Sequence, residues 1–223
     1  MFRYTKRALV LLCALGAFTT VVGCAEECVE TDDGGVCVDT YDTGYYYDSL
    51  VTGVTYENRN EGTVVRTSVT GEGGDPGRFR FLEGQTVAFS LGDTELGESS
   101  AQARLTPFDL AGVTEEAVGG CDVDGELPPD TDPFRKVANL AVLQQTLDTD
   151  GDPTAGIEIS EDVAALFDGV SIEVDQPWTT FQTDLQAVLD DAISGGVLPD
   201  DRVIVQREDA LRALYVGIGL CQP

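Results

Sequence analysis

The sequence predicts an α+β fold: a small antiparallel β-sandwich-like amino-terminal part followed by a helical carboxy-terminal part. Three observations lead there. Residues 49–105 hold short runs in which apolar and polar residues alternate, separated by Gly- and Asp-rich turns, the period of half-buried strands. After residue 106 the apolar positions recur every three or four residues, the period of helices that bury one face. Apolar residues make up 42% of the 223-residue chain, enough for a core and against wholesale disorder.

The first element, 1–23, reads as a signal peptide. Arg3, Lys6 and Arg7 precede an apolar run over 8–22. That run is too short and punctuated for a membrane span, which needs about 20 apolar residues. It ends in Val21-Val22-Gly23-Cys24, which resembles the bacterial lipobox, a small residue before the cysteine that is acylated. The resemblance implies lipid on Cys24 and durable membrane attachment through more than one acyl chain, since a single chain holds only marginally. Ala25 at the next position, by the same resemblance, points to the outer membrane of a two-membrane envelope. The expected address is therefore the cell envelope, with a lipid anchor.

The chain carries 40 acids against 13 bases, a net charge of −27 that becomes −30 once Arg3, Lys6 and Arg7 leave. Nucleic acid is excluded as a partner, because binding it rests on Lys and Arg neutralising phosphates. Charge of this size otherwise speaks to solubility and association. There is no His, hence no Ser-His-Asp or Cys-His unit and no imidazole ligand. Neither a GxSxG elbow nor a Gly-rich phosphate loop is present.

With Cys13 in the signal and Cys24 lipidated, Cys28, Cys37, Cys121 and Cys221 are left. An even count in an exported chain predicts two disulfides. The Asp32-Asp33-Gly34-Gly35 turn suits a Cys28–Cys37 bridge, leaving Cys121 for Cys221. All three pairings stay compatible with the sequence.

Residues 24–48 read as an acidic tether, with one of Tyr45, Tyr46 and Tyr47 packing onto the β-rich domain. Strands are expected around Val51 to Tyr56, over 63–69, over 78–81 where Arg-Phe-Arg-Phe alternates, over 86–91 and from Thr94. Gly-rich 71–77 breaks the series. The helical part, 106–223, opens at Asp132-Pro133, a capping residue followed by a first-turn proline. Ser160 caps a second helix reaching Phe167. A third covers 178–192, with Phe181, Leu185, Val188 and Leu189 on one face, and a fourth covers 207–215. The 49–105 and 106–223 parts fit two small domains or one composite unit.

Several of these segments, in this order, also carry a resemblance. They are Val51-Thr52-Gly53-Val54-Thr55-Tyr56, Arg78-Phe79-Arg80-Phe81, 83–93 (EGQTVAFSLGD), Leu96-Gly97, 105–110 (LTPFDL), Asn139-Leu140 and 143–153 (LQQTLDTDGDP). Together they resemble a module of exported bacterial lipoproteins, found alone or ahead of adhesin-like or esterase domains. The resemblance spans most of 49–167 and is most specific over 143–153. It implies a surface location and an accessory role without a reaction of its own. The 71–77 loop and the 121–125 stretch depart from the module, and no downstream catalytic domain is expected.

One run has ligand-like spacing. Asp148, Asp150 and Asp152 alternate in a tight turn, which could direct carboxylate oxygens at calcium. It falls short of an EF-hand, because Pro153 and Ile159 stand where Gly and a bidentate Glu belong. A weaker acidic loop covers 121–126. Asn139, Gln144 and Gln145 are expected on the wet face of the first long helix or capping neighbouring backbone, and Trp178 as a core anchor. The resulting expectation is a non-enzymatic, acidic, lipid-anchored envelope protein. Its role would be structural or adhesive, toward an envelope or extracellular protein or matrix component. The rivals are a carboxylate-dependent hydrolase, which needs a cleft with paired acids, and a small-ligand receptor, which needs an apolar pocket.

Overall fold

Alternation along the chain becomes two facing sheets in the computed structural model, whose described residues are 41–121, 130–131 and 133–222. One sheet holds β1 (Asp42–Tyr46), β5 (Arg78–Phe81) and β8 (Arg104–Leu105), in the order β5-β1-β8. In it β1 runs antiparallel to β5 and parallel to β8. The other is antiparallel, β4-β3-β6-β7, built from β3 (Thr55–Asn60), β4 (Thr63–Val69), β6 (Thr86–Leu91) and β7 (Thr94–Ser100). The β3–β4 hairpin turns at Glu61 and Gly62, both at positive φ (48° and 78°), as a two-residue turn requires.

Aromatic side chains fill the space between the sheets. Tyr46 stacks on Phe89 at 4.6 Å, and Phe79 meets Phe89 edge-on at 5.6 Å and Tyr56 at 5.9 Å. These are geometries aromatic pairs prefer. All four are buried.

A third, parallel pairing joins β2 (Val51–Thr52) to β9 (Ile157–Glu158). It demands close backbone approach: at Gly53, a Cβ would fall 1.8 Å from the Ile159 carbonyl oxygen. The pairing draws the helical part onto the strands, and one hydrophobic cluster contains residues of both. The described residues from Tyr41 onward accordingly form one unit.

The helices are α1 (Pro107–Ala111), α2 (Phe134–Leu147), α3 (Glu161–Ala164), α4 (Trp178–Ser194) and α5 (Arg207–Gly217). At α1, Thr106 donates its N–H and its hydroxyl to the Asp109 carboxylate at 2.8 and 2.9 Å. Pro107 then opens the helix without wasting a donor. Ser160 caps α3 by accepting the Val163 N–H at 3.3 Å, and a 3-10 turn continues it to Phe167. No helix among the described residues is long and apolar enough to cross a membrane.

One sequence expectation is corrected here. Residues 42–48 are not tether. Asp42–Tyr46 is hydrogen-bonded on both sides as β1, and Tyr46 and Asp48 are fully buried. The acidic, turn-rich stretch ahead of them masked a strand whose partners lie far along the chain. Asp132, the expected cap of α2, lies outside the described residues.

Candidate functional site

The polar residues of α2 are the largest departure from the sequence reading. Every residue from Val137 to Leu147 is buried, so Asn139, Gln144 and Gln145 are not on a wet face; Asn139 and Gln145 take the other expected role and bond backbone carbonyls. Buried polar groups must find partners, and each of these ties α2 to a different element. The Asn139 amide donates to the carbonyls of Val174 and Gln176, both at 2.9 Å. Gln144 donates to the Tyr46 hydroxyl on β1. The Gln145 amide nitrogen lies 3.1 and 3.2 Å from the two Asp48 carboxyl oxygens and 3.0 Å from the Ala210 carbonyl of α5. Thr146 accepts the Val205 N–H at 3.1 Å.

Asp48 ends this chain of contacts in an unusual state. Burial pushes its carboxyl up to about 8, against the lowering effect of the Gln145 bond. It is therefore a neutral acid at neutral pH. Ser49 and Leu50 come next at φ 69° and 63°, a left-handed pair that side chains other than glycine seldom adopt. Gly217 makes room for them, since a Cβ there would sit 2.3 Å from the Ser49 hydroxyl oxygen.

In the Asp148–Asp152 turn the Asp148 and Asp150 carboxyls are neighbours, and Asp152 turns to its own backbone. Asp148 is buried, with one oxygen accepting the Glu158 N–H at 2.9 Å, and burial and the neighbouring Asp150 raise it to about 6. Asp150 accepts the Asp152 N–H at 2.8 Å, and Asp152 accepts from the Thr154 N–H and hydroxyl at 3.1 and 2.6 Å. Those last bonds hold the Asp152 carboxyl below its usual range. The turn's carbonyls are also engaged: the Arg202 guanidinium donates to Asp148 at 2.6 Å and Thr149 at 3.2 Å. Two of the turn's carbonyls are thus already engaged by a resident guanidinium. Among the described residues, no group of three or more His, Cys, Asp or Glu is placed to hold a metal.

The raised carboxyls, Asp48 and Asp148, are both fully buried, so neither faces solvent from a cleft. Trp178 is half-buried at the start of α4, packed on Phe181 at 6.0 Å and beneath the Arg207 guanidinium at 5.7 Å. Cys121 and Cys221 form a disulfide with Cα atoms 5.5 Å apart, closing a separation of 100 residues. Cys24, Cys28, Cys37 and most of the 121–126 loop lie outside the described residues.

What stands open to solvent is the outer face of the four-stranded sheet. Val64, Val65 and Val69 on its end strand β4 are 45%, 49% and 44% exposed. Further across the same face lies a concavity of about 280 Å³ lined by Glu57, Arg59, Asp93, Glu95 and Glu98. Sequence reasoning missed this surface, although the adjacent valines Val64 and Val65 already broke the alternation of β4. No family model, curated protein or solved structure matches the chain.

Proposed function

We propose that the chain is a lipid-anchored, acidic envelope protein that binds a partner and catalyses no reaction. The lipobox-like Gly23-Cys24 supplies the address, and the resemblance to an exported accessory module agrees with it. The Cys121–Cys221 disulfide suits an oxidising compartment. The observation that carries the binding role is the clustering of exposed apolar side chains. Five large hydrophobic residues stand out among the described ones, and three of them share β4. Isolated exposed apolar residues are ordinary, whereas a contiguous group marks an interaction surface.

The address is tested by fractionating cells that express the full chain and analysing its amino-terminal peptide by mass spectrometry. The wild type is expected in the envelope fraction with acylated Cys24, and Cys24→Ser in the soluble fraction. Finding Cys24 unmodified in a freely released product overturns the anchor.

A further inference from the structure

The four-stranded sheet has one face in the core and one bare. Tyr56 and Asn58 of β3 are buried, and they oppose Ser68 and Arg66 of β4. Thr67 and Val69 therefore stand on the other face, beside Glu57 and Thr55. Between Arg66 and Val64 the register shifts, so that Val64 opposes Arg59 and Val65 is the extra residue of a bulge. The valines thus gather at one margin of the bare face.

End strands of natural sheets are commonly guarded by outward charges. The one charge on β4, Arg66, has a side chain only 14% exposed, with Glu72 at 3.3 Å. No charged residue of β4 stands outward beside the valines. On the same face Ala88 of β6 opposes both Glu57 and Glu98, and the concavity beside it sets four carboxylates against one guanidinium. Arg59 bridges Glu57 and Glu98 at 3.0 and 2.9 Å, and Glu95 is exposed. An apolar margin thus adjoins an acidic floor.

We infer that this face docks an extended segment of a partner protein in which apolar residues alternate with Lys or Arg. Its apolar side chains cover Val64, Val65 and Val69, and its cations meet Glu57, Glu95 and Glu98. Charge selects this occupant. A second copy of the chain would set acid against acid, with −27 on each molecule, and an anionic lipid surface would be repelled for the same reason. The inference deepens the binding role proposed above and rests on it.

The probe is a short fluorescent peptide alternating Val and Lys, titrated against the full chain by anisotropy. Comparators of equal length alternate Val with Glu and Ser with Lys. Saturable binding of the Val–Lys peptide is expected, weakening as salt is added. The Val64→Lys, Val65→Lys double variant should weaken it about tenfold or more, and Val203→Lys, at a residue 70% exposed elsewhere, should leave it unchanged. Because these valines are solvent-exposed, the melting temperature should hold; if it falls, Glu95→Gln carries the test, with weaker Val–Lys binding expected. Equal binding of either comparator, undiminished binding by the valine variant, or β4-dependent dimers in sedimentation would each overturn the inference. The wild-type chain distinguishes the two claims: one released with bare Cys24 that still binds the peptide sinks the anchor alone, and an anchored one that does not bind sinks the docking face alone.

Discussion

Helices α2 and α4 have similar apolar spacing in the sequence and opposite fates in the fold. In α4 the buried residues are Phe181, Leu185, Val188, Leu189 and Ala192, one stripe, and the polar side is wet. In α2 the polar side is as buried as the apolar one, and Asn139, Gln144 and Gln145 hold β1, the 174–176 segment and α5 around it. An amphipathic pattern announces a helix and one inward face. It does not announce that the opposite face is outward.

The sharpest way to break that contrast is pH. Asp48, held by α2 through Gln145, has its folded-state carboxyl raised from 3.8 to about 8. Below about pH 4 both folded and unfolded chains hold the proton, and the group's stabilising effect is fully present. As pH rises toward 8 the unfolded chain has released the proton and the folded one has not, so stability falls by about 1.4 kcal/mol per pH unit. Thermal melts should therefore decline across this window in wild type and flatten between about pH 6 and 8 in Asp48→Asn. Asp148, raised to about 6, adds to the decline only in the lower part of the window.

Next in size is Gln145→Leu. It leaves the buried Asp48 carboxyl and the Ala210 carbonyl without their amide partner, at a cost of about 1–3 kcal/mol in urea denaturation. A value near zero would mean that these groups find other partners and that α2 is no tie point. The smallest effect belongs to α4. Gln186 bonds Asp190 on its own exposed face, at 2.8 Å, so Gln186→Ala should change stability by no more than about 0.5 kcal/mol.

Much of the scaffold was legible because it is local. Strands at 63–69, 78–81 and 86–91 and the spans of α2, α4 and α5 arise from alternation, period and turn residues that sit beside one another in the sequence. The Thr106-Pro107-Phe108-Asp109 start of α1 carried an equally local signal, a capping residue, proline and an acid, and it passed unread. What could not be read is set at a distance. Gln144 and Gln145 are buried because Tyr46 and Asp48 lie 98 and 97 residues earlier, and no helical period contains that information. The same holds for β1, whose partners β5 and β8 come more than 30 residues later. At the Asp148 turn the local spacing tells only half of what the carbonyls do. Its spacing suggested a cation, and the distant Arg202 already occupies the carbonyls.

The position of β1 has a mechanical consequence. Tyr41 leads directly into β1, which pairs antiparallel with β5 over Asp42–Tyr45 and parallel with β8 at Tyr45 and Tyr46. Tension applied along the axis of β1 therefore loads its bonds to β5 lengthwise, in shear, with the shorter pairing to β8 beside them. In the anchored arrangement proposed above, β1 is the first described element to take such a load.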